Sequence, residues 1–115
     1  MPLLTKGFDT PADLTEHFET HVTIQKEFAV TTEVEYLKLA DKFLGEPLNK
    51  ATTYECQRTR RDGSLGDKIR YNRVTQEYGV LSNQGVIRTY YIANPAVHGF
   101  RTNFIYFRWD CRRVK

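Results

Sequence analysis

Three histidines, His17, His21 and His98, are the side chains of this sequence best suited to moving protons near neutral pH. His17 and His21 lie four apart, which puts them on one face of a helix, with Glu19 between them. The order His-Phe-Glu-Thr-His differs from the zinc-protease order His-Glu-x-x-His, so the glutamate falls one position late, about 100° around the helix from where that mechanism needs it. No third ligand is near in sequence, and the expectation is a site without metal or cofactor. Cys56 and Cys111 form no Cys-x-x-Cys pair and no framework of four or six. Neither a disulfide scaffold nor a structural zinc site is expected from them.

Metal-free cleavage of RNA suits these residues better. It needs a base for the 2′-hydroxyl proton, an acid for the leaving 5′-oxygen, and cations or donors around the charged phosphorane. Histidine can fill either proton role, and arginine forks and hydroxyls supply the rest. The run Arg88-Thr89-Tyr90-Tyr91 offers that mixture. Strand alternation puts Arg88 and Tyr90 on one side, Thr89 and Tyr91 on the other, so Arg88 and Thr89 meet one site only if a bulge or strong twist intervenes. The turn at Gly85 is expected to bring both toward the histidines. The competing role for a helix-end histidine is a hydrogen bond to a backbone carbonyl.

Charge is unevenly spread. Residues 1–50 hold five lysines against nine acids, a balance of −4, whereas residues 51–115 hold twelve basic residues against five acids, a balance of +7. Ten of the fifteen aromatics also fall in the second part. Cations that displace counterions and rings that stack on unpaired bases together mark a binder of the phosphate backbone, although strands also use arginine and aromatic residues for their own reasons. Lys26, Arg58, Arg60, Lys68, Arg70 and Arg73 are the candidate RNA-binding residues. No apolar run is long enough to cross a bilayer as a helix, and the opening Met-Pro-Leu-Leu-Thr-Lys has neither the basic nor the long apolar part of a secretory signal peptide.

The elements that would position these groups begin at Thr10-Pro11-Ala12-Asp13, a cap, a first-turn proline and an acid for the positive helix end. A helix is predicted from about Pro11 to His21, burying Leu14, Phe18 and Val22. A second starts near Thr32, with Glu35 as capping partner, and stops at Gly45 before Pro47. The period then changes to alternation. Strands are predicted over 51–61, 68–73, 77–82 and 86–93, with turns at Asp62-Gly63 and Asn83-Gln84-Gly85, and the aromatic stretch 100–111 reads as a further strand. The expected fold is one α+β domain, two N-terminal helices on one face of a twisted antiparallel sheet of four or five strands.

The order of short motifs resembles a known family. His-Phe-x-x-His, Glu27-Phe28-Ala29-Val30, Glu35-Tyr36-Leu37, Ala40-x-x-Phe43-Leu44, Arg70-Tyr71-Asn72, Thr75-x-Glu77-Tyr78-Gly79-Val80 and Gly85 through Tyr91 together look like the C-terminal ribonuclease domains of bacterial polymorphic and contact-dependent inhibition toxins, similar in layout to the tRNA-cleaving end of colicin D. The resemblance covers about residues 14–93. It implies the fold shared by barnase-like, colicin-type and RelE-type ribonucleases, a catalytic histidine at His21, and a hydroxyl and an aromatic at Thr89 and Tyr91. The chain departs from the pattern at Val22, where a glycine is usual, at the extra residues Thr23 to Lys26, and in lacking lysines beside the histidine.

These readings combine into an expected metal-independent endoribonuclease of toxin type, acting on RNA, with tRNA foremost, and leaving a 2′,3′-cyclic phosphate. His21 would be the principal acid and base, His17 its partner or a phosphate ligand, Arg88 the clamp on the phosphorane, and Thr89 and Tyr91 positioning groups. A toxin of this kind implies a cognate immunity or antitoxin protein, expected to be acidic, and a site of action in the cytoplasm of a bacterial target cell. The alternative is a non-catalytic domain of the same fold that binds nucleic acid or protein.

Overall fold

Local signals set most caps and turns of the described residues, which build a four-stranded meander with helices on both faces. The computed structural model describes residues 3–113. α1 spans Pro11–Phe18, with the Thr10 side chain accepting from Asp13 N–H at 3.0 Å. The helix then widens into a π-helical turn over Glu19–Ile24, closed by Gln25 N–H to Thr20 O at 3.0 Å. This turn takes up part of the extra stretch before Glu27, and Lys26 leaves it at φ 53°. α2, Glu33–Gly45, starts on the predicted capping box: the Thr32 hydroxyl accepts from Glu35 N–H and donates to the Glu35 carboxylate.

The strands are β1 (Thr53–Thr59), β2 (Leu65–Asn72), β3 (Glu77–Leu81) and β4 (Ile87–Ile92), all antiparallel, in the order β1-β2-β3-β4. Gly63 and Gly85 adopt φ 86° and 87° at the two predicted turns, where a Cβ would be strained. The two N-terminal helices lie on one face. There Tyr36, Ala40 and Leu44 of α2 pack with Val22, Ile87 and Tyr90, and Gly79 lets the helix approach so closely that a Cβ would meet Leu44 Cδ2 at 2.9 Å. Asp41, buried in α2, accepts from the backbone of Leu4 and Thr5 and so ties the N-terminal segment to this layer.

The other face carries a helix where a strand was expected. After the short α3 (Pro95–His98), residues Asn103–Arg112 form α4. Thr102 caps it, and Asn103, Phe107 and Asp110 repeat at helical spacing on its buried side. The density of aromatic residues reads as strand propensity, but only Ile105 among the ten residues of α4 is β-branched, and the cap and period decide the outcome. Phe107 packs with Ile69, Tyr71, Tyr78, Val80 and Ala93 as a second core. A second departure is covalent: Cys56 of β1 and Cys111 of α4 form a disulfide, pinning the helix to the edge of the sheet. Among the described residues no helix is long and apolar enough to cross a membrane.

Candidate active site

His21 sits in the π-helical turn, where a widened helix commonly marks a functional position. Its Nδ1 is 2.9 Å from Glu27 Oε2, and the other carboxylate oxygen of Glu27 accepts the Ile92 N–H of β4 at 2.5 Å. The histidine is therefore tied through one carboxylate to the sheet, and Nε2 has no protein partner among the described residues. On its flanks the ring stacks between His17 (centroids 5.9 Å) and Tyr91 (5.3 Å).

This arrangement lines a cavity of about 500 Å³. Its walls are His21, Gln25 and Glu27 from the turn and the loop after it, Thr89, Tyr91 and Ile92 from β4, Asn94 beyond that strand, Val97 and His98 from α3, and Tyr106 from α4. Thr89, Tyr91 and Tyr106 are shared with an adjoining cleft of about 190 Å³ that also holds Arg58, Asp67, Arg88, Asp110 and Arg113. The two depressions thus meet along β4. Three guanidinium groups face two carboxylates in the cleft, a surplus of positive charge next to the histidine.

Arg88 and Thr89 reach this site together because β4 is bulged. Val80 pairs with Thr89 but Leu81 pairs with Ile87, which leaves Arg88 as the extra residue. Ile87 and Tyr90 point into the α2 core, while Arg88 and Thr89 both turn to the opposite face. Arg88 Nε donates to Asp67 Oδ1 at 3.0 Å, and just over half of the side chain is exposed. The Tyr91 hydroxyl lies 3.1 Å from that of Tyr106. Burial, then its hydrogen bond with Tyr106, raises the Tyr91 pKa far above the ordinary phenol value, so the hydroxyl keeps its proton.

His17 stands apart from the cavity. It packs between Phe8, at 5.2 Å, and His21, and burial followed by the charge of His21 lowers its pKa, with Asp13 and Glu16 opposing. His17 packs behind the His21 ring and does not line the cavity. His98, which the sequence offers as a proton carrier without assigning it a place at the site, lines the cavity. Its Nδ1 accepts from Phe100 N–H at 3.0 Å, which puts the proton of the neutral ring on Nε2, 2.8 Å from Asn103 Oδ1. With both nitrogens engaged, His98 is a fixed wall, stacked on Tyr106 at 4.3 Å and 4°. Its signal in the sequence was Asn94-Pro95, the cap and first turn of α3.

The candidate backbone-binding residues do not share one surface. Lys26 is exposed on the loop after His21, and Arg60 shares a shallow cleft with Arg58 and Arg88. Arg58, however, is buried, bonded to Asp110 and 3.5 Å from Asp67. Arg70 lies on the α2 face, where it binds Glu55 and the carbonyls of Phe43 and Glu46, and Lys68 lines the same side. Arg73 closes the end of β2 by donating to Ala51 O at 2.7 Å. The arginines of the basic half thus serve the fold at Arg58, Arg70 and Arg73, because unmatched strand ends and buried acids need donors. Among the described residues no group of three or more His, Cys, Asp and Glu converges.

Compared with family models and with the curated proteins, the chain matches none.

Proposed function

We propose that the cavity is the active site of a metal-independent endoribonuclease. The observation that carries this reading is the chain Ile92 N–H to Glu27 to His21, which fixes one imidazole at the wall of a cavity that opens into an arginine cleft. In this reading His21 Nε2 takes the 2′-hydroxyl proton as the 2′-oxygen attacks phosphorus. The P–O5′ bond breaks, the 5′-oxygen takes a proton from the solvent in the cavity, and a 2′,3′-cyclic phosphate remains. Glu27 holds the tautomer and stabilises the imidazolium that forms, as a buried carboxylate does for a catalytic histidine elsewhere. Arg88 and the hydroxyls of Thr89 and Tyr91 meet the charge that develops on the phosphorane. His17 takes no proton role in this scheme.

The motif order that resembles the colicin D-like toxin nucleases agrees with this assignment at His21, Thr89 and Tyr91, and extends it to tRNA as substrate, an acidic immunity protein as partner and the cytoplasm of a target bacterium as the place of action. The test is to incubate the protein with total tRNA in EDTA. Discrete fragments ending in a cyclic phosphate are expected; bound but intact tRNA would make the domain a non-catalytic binding module.

A further inference from the structure

α4 leaves the cavity as a continuous ladder of rings. Tyr106, in the cavity wall, stacks on His98 on one side, and its centroid lies 6.0 Å from that of Trp109 at 28°. Phe100 packs against both, at 5.5 and 5.0 Å, and the Arg113 guanidinium lies 4.5 Å over the Trp109 ring. Phe104, Ile105 and Trp109 are each about 40% exposed. At 100° per residue the solvent arc of α4 runs Phe104, Arg108, Arg112, Ile105, Trp109, so two arginines descend the middle with rings on either margin. The only carboxylate between residues 99 and 113 is Asp110, which points inward to Tyr78, Arg58 and Arg113. An exposed arc with cations, rings and no acid suits a chain of phosphates that carries flat bases.

We infer that this arc of α4 binds single-stranded RNA that leaves the cavity, with bases stacked at Trp109 and Phe104 and phosphates at Arg108 and Arg112. This rests on the nuclease reading for the identity of the strand, and on α4 alone for the place where it runs. The alternative occupant, an anionic membrane surface, fits less well because the ladder starts inside the cavity and Ile105 is its only aliphatic member.

Trp109 is the single tryptophan of the chain, so its emission reports on this surface directly. The probe is a 2′-O-methyl oligoribonucleotide of about 12 nucleotides, a length within the site sizes of single-strand grooves, which cannot be cleaved through its blocked 2′-oxygen. Saturable quenching is expected with this probe, and none with inorganic polyphosphate at equal charge. Trp109→Ala should weaken binding about tenfold, the worth of one stacked base, with an unchanged salt dependence. Arg108→Gln with Arg112→Gln should lower the slope of log K against log[salt] by about 1.4, two contacts at about 0.7 each. Phe104→Ala serves as the second stacking variant should Trp109→Ala fail to fold. Binding of labelled probe with silent Trp109 emission overturns the inference, as does quenching by phosphatidylglycerol vesicles but not by the probe. Cleavage of tRNA with a silent α4 sinks only this inference; quenching without cleavage sinks only the nuclease reading.

Discussion

Glu27 and His21 form a pair whose second carboxylate oxygen is held by the backbone of β4, so the imidazole cannot turn without breaking its bond to a carboxylate that the sheet holds in place. Glu27→Gln keeps the size of the side chain and removes the charge opposite the imidazolium. It should lower kcat by about 10²-fold, with KM little changed, since the interaction grows only as the proton arrives. His21→Gln should abolish turnover. The alanine variant is a poorer test, because the His21 side chain is only 14% exposed and fills space against Tyr91. Activity of either His21 variant within tenfold of wild type would remove His21 from the acid and base role.

Arg88 and Arg58 share Asp67 but differ in exposure, and this separates their expected phenotypes. Arg88→Met should leave the melting temperature nearly unchanged and reduce kcat by 10²-fold or more, the usual cost of one lost donor to a developing oxyanion. Arg58→Met leaves the buried Asp110 carboxylate with only Tyr78 and Arg113 and should destabilise the fold by about 3 kcal/mol, the low end of the range for breaking a buried pair. Denaturant titration of both variants, beside a cleavage assay, distinguishes them. A stable Arg58→Met protein with weakened RNA binding would return Arg58 to the backbone-binding role first expected of it.

What the sequence made readable was local. Thr10-Pro11, Thr32 with Glu35, Asp62-Gly63 and Gly85 each specify a cap or a turn through their own side chains or their freedom at positive φ, and the alternation of Ile69, Tyr71, Tyr78 and Val80 follows from a buried sheet face. The losses came where a choice depends on distant partners. Whether Arg58 meets solvent or Asp110 depends on α4, 52 residues on. The pairing of Cys56 with Cys111 likewise needs the helix that the aromatic stretch 100–111 conceals. His21, Thr89 and Tyr91 line one cavity, and a register shift of one residue brings Arg88 to the adjoining cleft; the π-helical turn that presents His21 has no signature in residue type.

The Cys56–Cys111 bond closes a loop across β1 to β4 and fixes α4, which carries the Tyr106 wall of the cavity. Loop-closure entropy for a sequence separation of 55 sets the contribution at no more than about 4 kcal/mol. Reduction, or Cys56→Ser with Cys111→Ser, should therefore lower the melting temperature by up to roughly 15 °C for a domain of this size. Asp110, still bonded to Arg58 and Tyr78, should keep α4 in place at low temperature. Thermal melts with and without a phosphine reductant measure the difference. An unchanged melting temperature would show that the noncovalent contacts of α4 suffice.

His17 gives the fold a pH dependence of defined sign. Burial lowers its pKa below the ordinary value near 6.5, and the positive charge that His21 can carry acts in the same direction, against the weaker pull of Asp13 and Glu16. The unfolded chain therefore binds a proton more readily than the folded one. Between the two pKa values the unfolded state holds more protons, so stability rises with pH. The contribution is complete above about pH 6.5 and is lost as pH falls through that value toward the lower folded pKa. His17→Phe keeps an aromatic ring between Phe8 and His21 and has no proton to bind. Urea unfolding at about pH 7.5 and about pH 5.5 should show wild type losing more stability on acidification than the variant, by the share that belongs to His17. Parallel pH profiles for the two proteins would mean that the ring protonates equally well in both states and that its burial carries no electrostatic cost.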